Sequence, residues 1–193
     1  MKKLIAGVAV KLLLLGTLVA AQQSSPPTAQ TPEAAAIKAE AENCSRAFTS
    51  GDFGKLIDLT YPKLIELSGG REKALAEVEG QMKELRDSGM KIISMTLGEP
   101  EPSVRAGATR VAVVPLRLRI EMPEQDIEVE SFWLAVSTDE GKVWRFISGT
   151  SVNADALKLF LPEAVGKIKL PAVKQHVMER KPANPKAAGA SRR

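Results

Sequence analysis

The sequence predicts an α+β fold, and three observations predict it. Helical periodicity fills the first half of the chain and strand alternation the second, the order that sets helices against an antiparallel sheet. Residues 109–149 read as two consecutive β-hairpins whose cross-strand pairs can be written out. Between two proline-bearing ends, residues 32–171 have the length of one domain and can bury a core without disulfides.

The start of the chain predicts export. Met1-Lys2-Lys3 is a positive opening, an apolar run begins at Leu12, and Val19-Ala20-Ala21 offers small residues before Gln22. That pattern is a secretory signal peptide, 1–21, cleaved after Ala21, placing the mature protein in the periplasm or outside the cell. Lys11 leaves the apolar run far short of the ~20 residues that span a bilayer, so no transmembrane span is expected in the mature chain. Residues 22–31, with Pro26-Pro27, read as a disordered linker.

Helices come next. Pro32-Glu33 opens one that runs through Ser50, with Ile37, Ala41, Cys44 and Phe48 on a stripe, and Gly51-Asp52 breaks it. A short helix covers 53–59, Tyr61-Pro62 marks a joint, and Pro62 at a first helical position opens another turn that Gly69-Gly70 ends. Residues 71–88 carry Leu75, Val78, Met82 and Leu85 on one helical face, and Gly89 closes that helix. Cys44 is the only cysteine; without a partner it reads as a small buried hydrophobe.

The period then changes to two. Ile92 to Leu97 is strand, Glu99-Pro100-Glu101-Pro102 an edge strand or loop, and Ala106-Gly107 a turn into Thr109. A two-residue loop at Pro123 and Glu124 sets Arg119 opposite Glu128, Arg117 opposite Glu130 and Leu118 opposite Val129. Each charge pair is worth only ~0.2–1 kcal/mol, but a one-residue slip would drive the charged face into the core, so register is strongly specified. Ala112, Val114, Leu116, Leu118, Ile120 and Met122 then share an inner face with Trp133, Ser131 and Val129. A second loop at Glu140-Gly141 sets Ala135 opposite Phe146 and Trp133 opposite Ser148; a bulge there would swap those faces.

Ser137-x-Asp139-x-Gly141-x-x-Trp144 matches the Asp-box of sialidases and other β-propellers. A propeller needs at least four blades of ~40–50 residues, and this chain has one copy behind helices. The motif reads as a folding element: Asp139 bonds its own turn, Gly141 takes the awkward dihedral and Trp144 packs the hairpin base.

On the outer face the charges give way to Val111, Val113, Pro115, Phe132, Leu134, Val136 and Ile147, an apolar patch that must be covered. Two covers are available. One is a homodimer partner seated on Val113, Phe132, Leu134 and Val136. The other is the chain's own segment 154–170, with Leu157, Phe160, Leu161, Val165 and Ile168 on a helical stripe interrupted by Pro162.

Charge excludes a generally basic protein. The chain carries 27 Lys and Arg against 23 Asp and Glu, net +4, and loss of Lys2, Lys3 and Lys11 with the leader brings the balance to +1. The excess crowds residues 172–193, which read as a disordered basic tail. No aromatic residue interleaves those charges, so no nucleic-acid partner is expected.

Ala47-Phe48-Thr49-Ser50-Gly51-Asp52-Phe53, then Tyr61-Pro62-Lys63-Leu64-Ile65-Glu66, then Gly69-Gly70, then four strands ending Val143-Trp144-Arg145-Phe146-Ile147, resemble the NTF2-like superfamily, with its SnoaL-like and ketosteroid-isomerase-like members. The likeness covers about 33–149. It implies a cone: a long curved sheet wrapping helices, with an apolar pocket open at one end. The hairpin at 131–149 is similar to that of exported bacterial members. Fold alone does not settle function in so varied a superfamily.

A pocket in such a cone would take its polar and aromatic residues from Tyr61, Ser131, Trp133, Trp144 and Ser148, the candidate ligand contacts. Isomerase-like relatives use a carboxylate base and a hydroxyl donor to stabilise an enolate. Here the inner strand positions carry no Asp, Glu or His, and the only histidine, His176, falls in the tail, which argues against a His-based acid–base or metal site. Glu66 with Tyr61 is the remaining candidate catalytic pair; its bland reading is a solvated glutamate beside a packed tyrosine. No cofactor or metal is indicated. The expected function is an exported, non-catalytic module that binds a small apolar ligand or a protein partner. The alternative is a SnoaL-like isomerase, dehydratase or hydrolase using Glu66 and Tyr61.

Overall fold

The computed structural model describes residues 31–178. The proposed signal peptide, the linker up to residue 30 and the tail from 179 lie outside the described residues.

Helix α1 (Pro32–Ser50) forms where the sequence marks it. The Thr31 side chain accepts from Ala34 N at 3.2 Å, Pro32 occupies the first turn and Glu33 meets the positive end of the helix dipole. It buries Ile37, Ala41 and Cys44 against the sheet, with Ala47 buried as well, and ends at Gly51, whose φ of 77° only glycine takes without strain. α2 (Phe53–Leu59) is capped by the Asp52 carboxylate, which accepts from Lys55 N at 3.0 Å. α3 (Pro62–Leu67) and α4 (Arg71–Asp87) follow. α4 packs on α2 and α3, and Ala74 is its only buried residue.

The strands are β1 (Lys91–Leu97), β2 (Val104–Ala106), β3 (Thr109–Glu121), β4 (Asp126–Ser137), β5 (Arg145–Ser148) and β6 (Lys174–Met178). They make one antiparallel sheet curled into a half-barrel, ordered β1-β3-β4-β5, with β2 beside β3 and β6 on β4. The β3–β4 ladder has the expected register throughout, including Arg117 opposite Glu130, Leu118 opposite Val129 and Trp133 opposite Val114. The charges pair with a skew: Arg117 reaches both Glu130 (3.1 Å) and Glu128 (3.3 Å), while Arg119 takes Asp126 (3.1 Å). Long arginine side chains reach diagonal as well as direct partners. Residues 99–102 are loop, tied to β3 by Glu101 N donating to Val113 O at 2.8 Å.

The β4–β5 hairpin sets Trp133 opposite Ser148 and Ala135 opposite Phe146. Its turn is built from the Asp-box residues. Asp139 Oδ1 accepts from Val143 N (2.9 Å), Lys142 N (3.2 Å) and the Ser137 hydroxyl (2.7 Å), and Gly141 N donates to Ser137 Oγ at 2.9 Å. These bonds hold the Asp139 carboxyl below the usual carboxylate range, the Val143 amide contributing most and Ser137 next. Glu140 and Gly141 both take positive φ, 65° and 91°, and Trp144 is buried beneath the turn.

The outer face is covered from within. α5 (Ala154–Phe160), capped by Asn153 on Ala156 N (2.8 Å) and Asp155 N (3.0 Å), and a 3₁₀ turn at Pro162–Ala164 bring Leu157, Phe160, Leu161 and Ala164 onto Val111, Val113, Phe132, Leu134, Val136 and Ile147. The homodimer surface expected on Val113, Phe132, Leu134 and Val136 is therefore corrected: each is at most 1 % exposed, occupied by the chain's own segment. Val165 departs from its expected stripe and is exposed, because Pro162 breaks the helix and resets the register beyond it.

Part of the segment expected as disordered tail is ordered. Lys174–Met178 forms β6, pairing antiparallel with Asp126–Glu130 of β4. Its polar sequence carries no strand signal by itself. The open edge of β4 supplies the ladder, and Glu130 lies 3.8 Å from Lys174 and 4.0 Å from His176. His176 thus sits on the outer sheet face.

Candidate ligand cavity

Two packed layers meet the inner face of the sheet. At one end Trp144, Ala135, Ala112 and the α1 residues fill it completely. A partly buried clamp locks α1 there: Arg110 grips Glu33 through Nε–Oε1 (3.0 Å) and Nη2–Oε2 (3.1 Å), and Ser103 Oγ donates to Glu33 Oε2 at 3.0 Å. At the other end α1 gives way to α2, α3 and α4, which stand off the sheet. The joint between α2 and α3 is pinned to the sheet edge by Tyr61 N donating to Phe146 O at 3.0 Å. α4 brings Val78, Met82 and Leu85 opposite Met95 of β1, Leu116 and Leu118 of β3 and Val129 of β4.

Between these layers lies a partly open cavity of about 480 Å³, within the ~300–1,000 Å³ typical of small-molecule sites. Its inner wall is Trp133 against Phe146, ring centroids 5.7 Å apart and tilted by 48°. Ser131, Ser148, Thr60, Ser68, Thr150 and Ser151 contribute hydroxyls, with Ser148 and Thr150 2.8 Å apart and bonded to each other. Among the described residues the wall carries a single acidic side chain, Glu77, beside Gln81 on α4. Cys44 also borders it; burial pushes its thiol up to about 12, with Glu40 adding to the effect, so it carries no thiolate near neutral pH.

The expected contacts divide. Ser131, Trp133 and Ser148 line the cavity together. Trp144 shares their face but lies at the filled end, off the wall. Tyr61 packs at the sheet edge with the outer cluster, beside Leu64. Burial raises its phenol, and the carboxylates of Glu163 and then Glu66 add to the shift. Glu66 is exposed and pairs with Lys63 at 3.2 Å. Neither Tyr61 nor Glu66 reaches the cavity wall, so the geometry assembles no base and donor pair from them.

Comparison with protein-family models, with curated proteins and with solved structures gave no match. The site stands on its own geometry.

Sequence reasoning missed the α4 side of the cavity. The stripe Leu75, Val78, Met82 and Leu85 was legible as an apolar helical face; that Val78, Met82 and Leu85 half-cover a void instead of closing a core was not. Leu56, Leu64 and Met95 carry no signal beyond hydrophobicity, and Glu77 and Gln81 carry none that sets them apart from the other polar residues of α4. Chemically the wall can bury an aliphatic or flat apolar body and offer hydrogen bonds at its rim. Among the described residues no group of three or more His, Cys, Asp or Glu could hold a metal ion, and no helix is long and apolar enough to cross a membrane.

Proposed function

We propose that this protein is an exported, non-catalytic module of NTF2-like type that binds a small apolar ligand between its half-barrel sheet and helices α2–α4. The cavity of about 480 Å³ carries this reading: it is walled by Trp133, Phe146, Leu116, Leu118, Met82 and Leu85, with hydroxyls in place of an acid–base pair. The curled antiparallel sheet with helices on its inner face supports the NTF2-like resemblance, and the leader-like first 21 residues support export. The SnoaL-like enzyme alternative has less support, because Glu66 pairs with Lys63 in solvent and Tyr61 packs outside the cavity.

A native mass spectrum of the protein, compared with its denatured spectrum, tests the reading. The expected result is a non-covalent small molecule lost on denaturation or, for a bare protein, saturable uptake of 1-dodecanol that changes tryptophan fluorescence. A bare protein that takes up no aliphatic probe contradicts it.

A further inference from the structure

Glu77 is the one acidic side chain on the cavity wall among the described residues, and no basic side chain shares that wall. Its helical neighbours supply no cation either. Three and four residues on stand Gly80 and Gln81. Lys73, four residues earlier, folds back over Gly69: its Cδ lies 2.9 Å and its Nζ 3.2 Å from where a β-carbon on Gly69 would stand. The carboxylate is therefore left at the cavity rim with an amide beside it and an apolar slot behind it.

That combination selects a ligand by charge. A carboxylate accepts hydrogen bonds and attracts a cation, and it repels an anionic head held at the same place. We propose that the ligand is a single-chain amphiphile with an amine-bearing, cationic head. Its tail lies between Val78, Met82 and Leu85 of α4 and Met95 and Leu118 of the sheet, and its head meets Glu77 and Gln81. The inference rests on the cavity being a binding site, and it adds which end of the ligand faces out and which charge that end carries.

The test uses three twelve-carbon probes at low ionic strength: dodecylamine and dodecanoate below their micelle concentrations, and 1-dodecanol below its solubility limit. Binding is read from the fluorescence of Trp133, which stands on the wall. Dodecylamine is expected to bind about tenfold more tightly than dodecanoate, attraction for one head and repulsion of the other each contributing on the scale of an exposed ion pair. Added salt is expected to compress that ratio. Glu77→Gln, a change at an exposed helix position, is expected to bring the ratio near one. Equal binding of amine and carboxylate by the parent protein, or a preference that survives in Glu77→Gln, overturns the inference while the cavity remains a binding site. Failure of 1-dodecanol to bind overturns the cavity reading, and the inference with it.

Discussion

The inner and outer faces of the β3–β4 hairpin come from the same alternating residues and end in different states. On the outer face Phe132, Leu134, Val113 and Val136 meet α5 and the turn after it, and each is at most 1 % exposed. On the inner face Trp144, Ala112 and Ala135 are equally closed at one end, but Leu118, Val129 and Ser131 at the other end face α4 across a void. The difference lies in what covers each face. α5 lies directly on the sheet, whereas α4 is held by α2 and α3 and leaves Val78, Met82 and Leu85 half-buried. One face of the hairpin holds the fold together; the other has surface left over for a ligand.

The largest effects are expected on the outer face. Phe132→Ala deletes a ring that is 1 % exposed and is expected to cost about 3–5 kcal/mol in urea denaturation. Gly149→Ala presses on the same ring: a β-carbon there would stand 2.7 Å from Phe132 Cδ1 and 2.7 Å from its carbonyl oxygen. Because a backbone atom is among those struck, it is expected to cost about 1–3 kcal/mol.

Changes at the cavity are expected to reverse that pattern. Ser131→Leu, placing an aliphatic side chain in the void, is expected to leave stability equal or raised by up to about 2 kcal/mol and to abolish uptake of 1-dodecanol. A loss of stability as large as that of Phe132→Ala would mean that the inner face is as tightly packed as the outer one.

The smallest expected effect belongs to the Asp139 turn. Its carboxyl is held low in the folded state, so its contribution is present above the unfolded-state pKa and fades as pH falls through the folded one. The stability of the parent protein should therefore fall on acidification through and below the usual carboxylate range, and Asp139→Asn should flatten that part of the profile. An unchanged profile would remove Asp139 from the account of the turn.

Much of the fold was legible because two periods coincide with chemistry. In β3 and β4, alternation and the Arg117–Glu130 pairing specify one register, and a slip would bury charge. The first helix and its end were legible from Pro32-Glu33 and the Gly51-Asp52 break, and the third from Pro62; the caps at Thr31 and Asp52 were not. Strand β6 was not: Lys174-Gln175-His176 has the composition of a tail, and only the unpaired edge of β4 makes it a strand. The site was half legible for the same reason. Ser131, Trp133 and Ser148 follow from strand parity. Parity cannot tell the filled end of a face from the open end, so Trp144 was grouped with them. Tyr61 and Glu66 depend on the angle of the α2–α3 joint, which the Phe146 carbonyl sets from far along the chain.

The most direct test of the contrast between the two faces is hydrogen exchange with and without saturating 1-dodecanol. Slowed exchange confined to α2, α3, α4 and the cavity-facing parts of β1, β3 and β4, with α5 unchanged, is the expected result. No change anywhere, or slowing centred on α5 and the outer-face segment, would contradict the assignment of the inner cavity as the working site.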